Sequence, residues 1–170
     1  MTYYIAIDLE TSGLVPSANY IAEIAAVVFL DSGEILHTWE TLVGIPFFRD
    51  NGGQWNNIPL MASYAAPLWR DVAPVIAANL EGAVVVGHNV DAFDLPFLQH
   101  ALGRVGITLT VAGTVDTLTR DRLLRPDVDG VKVRHTLGAA CEAYGIPLVG
   151  AHRAMADTMA TVKLALAQGL

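Results

Sequence analysis

Asp8 and Glu10 stand two residues apart at the end of an apolar run, Tyr4-Ile5-Ala6-Ile7. On a strand that spacing puts both carboxylates on one side. Like charges so placed repel each other unless a cation lies between them, and hard divalent ions such as Mg²⁺ take oxygen ligands of this kind. A second acidic group, Asp91 and Asp94, lies in His88-Asn89-Val90-Asp91-Ala92-Phe93-Asp94, where an apolar run turns into a helix. A first helical turn would aim Asp94 back over the strand ends, and Asp91 is the alternative ligand. A third group is His152 and Asp157. A spacing of five does not align two residues on one helix face. The pair works if His152 lies on the entry loop and Asp157 within the helix. Histidine is the side chain best suited to take a proton from water near neutral pH.

Each group alone has a plainer reading. Asp8 and Glu10 could be solvated acids near a turn. Asp91 suits an N-cap, with Asp94 in the first turn. Asp157 could favour a helix dipole. Together they are what two ions need: two metals about 3.5–4 Å apart clamp the attacking and leaving oxygens of a phosphodiester displacement. Four carboxylates would offset four positive charges, and a histidine supplies the base.

The elements that must position these groups follow from periodicity and turn residues. Thr2 to Leu9 reads as a buried strand, Tyr20 to Leu30 as a second and Glu34 to Val43 as a third, with Asp31-Ser32-Gly33 as a hairpin-like turn. This predicts an antiparallel meander. Leu68 to Leu80 reads as a helix that Pro74 could kink or shorten. Ala83 to Gly87 is wholly apolar and fits a strand buried on both faces. A helix over 92–105, a strand over 111–115 and a helix over 117–124 follow. After a charged loop come a helix over 136–144, stopped by Gly145 and Pro147, and a last helix over 152–167. On that last helix Met155, Met159, Val162 and Leu166 share a face. The predicted fold is an α/β sheet with an antiparallel part and helices on its faces.

Composition bounds the rest. The chain has 170 residues, 53% hydrophobic and 16% charged, which excludes intrinsic disorder and fits one domain. The longest apolar stretch, Ile24 to Leu30, is far short of the ~20 residues of a membrane-spanning helix. The first residues lack the basic region of a signal peptide, and Cys141 stands alone, so the expected compartment is the cytoplasm. A net charge of −7 argues against coating nucleic acid through a broad basic surface. It leaves open an enzyme that grips one strand end.

Asp8-x-Glu10-Thr11-x-Gly13-Leu14, His88-Asn89 through Phe93-Asp94, and His152-x-Ala154-x-x-Asp157 resemble the three exonuclease motifs of the DEDD superfamily. The histidine at 152 points to its histidine subclass, the DnaQ-like family. Ile21-x-Glu23-Ile24, Ala66-Pro67, Val115-Asp116-Thr117-Leu118 and Gly145-Ile146-Pro147-Leu148 look similar as well. The resemblance implies a ribonuclease H-like fold over residues 1–170 as a single exonuclease domain. It implies metal-dependent 3′→5′ removal of nucleotides from single-stranded DNA, with proofreading or repair as the setting. By this resemblance Asp8, Glu10, Asp94 and Asp157 would bind two Mg²⁺ or Mn²⁺ ions and His152 would be the general base. Thr11 and Leu14 would touch the terminal nucleotide, and Asn89 would bond near the strand backbone. His88 has no clear catalytic role in the pattern. The second motif holds one residue more than is usual, which leaves Asp91 beside Asp94; Phe93 favours Asp94.

Two alternatives accompany this expectation: the same chemistry on RNA 3′ ends, and a non-catalytic domain of the same fold. The latter predicts a missing ligand, and none is missing. A DNA polymerase subunit is the expected protein partner of the proofreading type. The basic residues Arg120, Arg122, Arg125, Lys132 and Arg134 fall in one segment, read either as a track for the strand backbone or as a solvated loop. Residues 47–64, with Trp55, match the family poorly and read as a packed loop or a lid.

Overall fold

The computed structural model describes residues 2–45, 58 and 60–170. Of the loop or lid read over residues 47–64, the part around Trp55 lies outside these residues, and its last residues, from Leu60, form a helix instead. Strands β1 (Tyr3–Thr11), β2 (Ile21–Leu30) and β3 (Ile35–Leu42) form the expected meander. Between β2 and β3, Gly33 takes a φ of 88°, and the Leu30 amide donates to the Glu34 carbonyl to close the turn. Helices α1 (Leu60–Ala65) and α2 (Trp69–Leu80) follow, then β4 (Val84–Gly87), α3 (Asp94–Gly103), β5 (Gly113–Asp116), α4 (Thr117–Leu124), α5 (Leu137–Ala143) and α6 (Ala154–Ala167). Pro74 lies inside α2 without ending it.

One sheet holds the strands in the order β3-β2-β1-β4-β5. β1 pairs with β2 antiparallel and with β4 parallel, and β4 pairs with β5 parallel. β1 is therefore the strand at which the sheet changes sense. Ligand sites of α/β sheets favour such a switch point, beyond the strand ends.

Alternation along β1 divides the core into two layers. Ile5, Ile7 and Leu9 pack with Ile76 and Leu80 of α2 and with Phe97, Leu98 and Leu102 of α3. Ala6 joins Val27 and Phe29 of β2, Val86 of β4 and Val162 and Ala165 of α6 in the opposite layer. Met155, Met159 and Leu166 pack against that second layer, as the helical stripe predicts. The period-2 rule then puts Asp8 and Glu10 on the α6 side of the sheet. No described helix is long and apolar enough to cross a membrane.

Element ends fall within about two residues of expectation, α1 (Leu60–Ala65) stands where the sequence predicts no helix, α6 begins at Ala154 rather than at 152, and three further differences bear on the site. β1 runs on to Thr11, with a register shift between Glu10 and Thr11. α3 begins at Asp94, and Asp91 does not cap it; its N-cap residue is Phe93, which makes no side-chain cap bond. β5 begins at Gly113 and includes Asp116.

Candidate active site

β1 outruns its parallel neighbour. The ladder to β4 pairs Ile5 with Val85 and Ala6 with Val86, and β4 ends at Gly87. Beyond that point the β4 side of β1 is open for other groups. The chain turns sharply there: a Cβ on Gly87 would lie 2.6 Å from the Cβ of Val90. Asn89 takes a left-handed φ of 73°. The turn is held by Asp116, at the end of β5. Its carboxylate accepts from the Asn89 amide at 2.9 Å, and it caps α4 by accepting from Leu118 at 2.9 Å and Thr119 at 3.4 Å. His88 stands between the hydroxyl of Thr117, at 2.9 Å, and the carbonyl of His135, to which its Nε2 donates at 2.8 Å. Its role is to tie the turn to the segment before α5.

This turn delivers Asp94, while Phe93 packs on Phe97 with ring centroids 4.9 Å apart. Asp94 is buried, and burial is the main cause that pushes its carboxyl up to about 8. Backbone hydrogen bonds at Asp94 itself and at Leu9 pull it down, and the charges of Asp116 and Glu10 push it up further. Asp91 is exposed. Burial also raises Asp8 well above the usual carboxylate range, followed by the charges of Asp94, Asp157, Glu10 and Glu23. Glu10 is pushed up to about 7 by burial, Asp157 and Glu23, against the opposing charge of Arg153. Asp157 is raised by burial, while the amide and charge of His152 oppose the rise. The structure thus brings Asp8, Glu10, Asp94 and Asp157 into one electrostatically coupled group.

His152 lies in the loop before α6 and Asp157 in the helix's first turn. The loop turns back on itself: His152 has a φ of 66°, and its amide donates to Asp157 Oδ2 at 3.1 Å. One ligand atom each from Glu10, His152 and Asp157 lie within 4.8 Å of one another. Asp157 Oδ1 is buried with no hydrogen-bond partner among the described residues. A buried carboxylate oxygen left unpaired is costly. The donor set is rich in oxygen, and its carboxyls are held up first by burial and, at Asp8, Glu10 and Asp94, by neighbouring negative charge, so the residues fit hard divalent cations.

At the end of β1, the buried Thr11 hydroxyl donates to the Gly13 carbonyl at 2.7 Å. Leu14 and Val15 follow, 60% and 53% exposed. The loop that carries them is pinned by Arg104, whose guanidinium donates to the carbonyls of Pro16, Ser17 and Asn19 and lies over the Tyr20 ring. Asn89 is half-buried beside the site. In the basic segment, Arg125 is turned inward: with His135 it bonds the fully buried Asp121, which these partners hold below the usual range despite its burial. Arg122, Lys132 and Arg134 remain exposed.

Sequence reasoning missed the part played by Asp116, Glu23 and Arg153. The available signal for Glu23 was its parity: a lone acid on the α6 side of an otherwise apolar strand.

The family model described as Exonuclease, of the RNase T type, matches residues 58–165. The chain belongs to that exonuclease family. Among curated relatives, it is 30% identical over 160 residues to a DNA polymerase III of PolC type from Lacticaseibacillus paracasei, covering 93% of this chain and 11% of the relative. It is 30% identical over 169 residues to the 3′-5′ exonuclease DinG of Staphylococcus aureus, covering 96% of this chain and 18% of the relative. The chain therefore spans between a tenth and a fifth of these relatives' length. Exonuclease I of E. coli, solved with a dT13 oligonucleotide, superposes with a TM-score of 0.83 at 19% identity, over 98% of this chain and 40% of its own. The fold is the ribonuclease H-like one.

Proposed function

We propose that the chain is a metal-dependent 3′→5′ exonuclease that releases nucleoside monophosphates from single-stranded DNA. The observation that carries this is the convergence of Asp8, Glu10, Asp94 and Asp157 with His152 at the end of the central strand, within an exonuclease family. The names of DinG and the oligonucleotide-bound exonuclease I support the polarity and the substrate. The PolC-type relative supports a DNA polymerase subunit as partner.

In this reading Asp8, Glu10, Asp94 and Asp157 hold two Mg²⁺ or Mn²⁺ ions. Bound there, the ions supply Lewis acidity at the scissile phosphate and lower the pKa of a water. His152 takes the proton from the attacking water, and its place on an exposed loop lets the ring face solvent and phosphate together. Thr11 orients the 3′ terminus. Leu14 packs on the terminal base, a contact that tolerates any sequence because every base has an apolar face. Asn89 approaches the strand backbone. With few cations near the site among the described residues, the grip is short and comes mainly from metals, polar backbone groups and stacking.

A time course on 5′-labelled single-stranded DNA and RNA, with Mg²⁺, Mn²⁺ or EDTA, tests the proposal. The expected result is a ladder shrinking from the 3′ end, faster on DNA, lost with EDTA and lost in Asp8→Ala. No ladder from folded protein with metal present overturns it, and faster cleavage of RNA overturns the substrate assignment.

A further inference from the structure

Glu23 is 1% exposed, near the start of β2, and stands opposite Glu10 in the antiparallel register. A buried carboxylate needs partners that justify its place. Those partners come from one spot, the entry of α6. Arg153 Nη2 donates to Glu23 Oε1 at 2.8 Å, and Arg153 Nε lies 3.2 Å from both carboxylate oxygens. The Ala154 amide donates to Oε2 at 3.1 Å. Ala154 is the first residue of α6, and its N–H is one of the amides a helix start leaves without an intrahelical partner. The helix's own N-cap residue, Arg153, makes no side-chain cap bond. A strand 131 positions away in sequence thus supplies the cap.

The segment so held does not hold itself. Gly150 has a φ of 80° and His152 a φ of 66°. A non-glycine residue in the left-handed region is strained and persists only where its surroundings dictate it. Two anchors do so here: Glu23 on the C-terminal side of His152, and Asp157 Oδ2 on its amide.

We propose that Glu23 and Arg153 form a clamp that positions His152 for proton transfer. The clamp touches no reacting atom; both are positioning residues that act through the loop. As a statement about catalysis it rests on the reading of His152 as the general base. As a statement about geometry it does not.

The test uses Glu23→Gln and Arg153→Gln. Glu23→Gln is near-isosteric and keeps an oxygen for the Ala154 amide, whereas Arg153→Gln shortens the side chain and removes its charge. The expected result is a kcat about 10- to 100-fold lower, as for other residues that orient a site group, with little change in KM. In a His152→Ala background either substitution should cost less than about threefold more, because the residue it serves is gone. Full, multiplicative losses in that background overturn the proposal, since they mean that the clamp acts on stability or on the metal ligands instead. A second readout needs no catalysis. In protein labelled at histidine Cε1, Glu23→Gln should move the His152 resonance and leave those of the exposed His37 and His100 in place. An unmoved His152 signal overturns the clamp whatever the kinetics show. A moved signal together with a fully active His152→Ala variant overturns the base assignment and leaves the clamp standing.

Discussion

Asp94 and Asp91 differ by three positions in sequence and by everything in environment. Asp94 is buried with its carboxyl near 8, coupled to Glu10 and to Asp8, whereas Asp91 points to solvent. Asp94→Ala is therefore expected to reduce cleavage by about a thousandfold or more, on the scale of losing one organised charge at a reacting centre, and Asp91→Ala by less than about threefold. Measured kcat/KM on a short oligonucleotide checks this, and a reversed order would assign the ligand to Asp91. His152→Ala should lower kcat by about 10²- to 10⁴-fold, the usual contribution of a general base. Calorimetric Mn²⁺ titration of the same variant should show binding largely intact. A matching loss of metal affinity would make His152 a ligand rather than a base.

At the scale of elements, the site depends on the ends of strands and helices more than on their middles. β4 stops at Gly87 and leaves β1 open. Asp116 at the end of β5 then fixes both the turn after β4 and the start of α4. Asp116→Ala removes a helix cap and leaves the Asn89 amide without its partner. The expected loss is about 2–3 kcal/mol in chemical denaturation, with cleavage reduced because Asp94 follows that turn. Asp116→Asn, which keeps an acceptor, should recover much of both. On the opposite layer α6 lies across β1 and β2. That crossing sets Asp157 against Glu10, and β2 reaches the helix entry through Glu23.

For the molecule as a whole, the acid cluster makes stability depend on pH and metal. In the metal-free protein Glu10 and Asp94 have carboxyls raised to about 7 and about 8, against ordinary values of 4.5 and 3.8. The folded state then binds more protons than the unfolded state between pH ~4 and ~8, so stability falls across that window as pH rises. The contribution is fully present below the ordinary values and is lost as pH passes the raised ones. Metal-free Tm should therefore decrease from pH 5 to pH 8.5. Millimolar Mn²⁺ should restore it most at the alkaline end, where the carboxylates are free of protons. A Tm that rises over this range without metal would contradict the coupled cluster. Asp94→Asn should flatten the dependence and raise the metal-free Tm at pH 8.5.

The sequence alone determined the order of the strands and of every described helix but α1, the α6 face formed by Met155, Met159, Val162 and Leu166, and the shared side of β1 for Asp8 and Glu10. These follow from local periodicity, which acts over a few residues and is written in residue type. The spacing of His152 and Asp157 likewise required a loop residue and a helical one, and the structure has that arrangement. The sequence favoured Asp94 over Asp91 only through its neighbour Phe93 and made Asp91 a cap, because capping propensity is local while the turn is fixed from β5 by Asp116. It gave no hint that Glu23 caps α6 from another strand or that Arg104 pins the Leu14 loop. Those bonds join residues separated by 131 and 88 positions. Only tertiary structure decides such pairs, because a charge or an acceptor is satisfied by whatever the folded chain brings within about 3 Å, and sequence spacing says nothing of that distance.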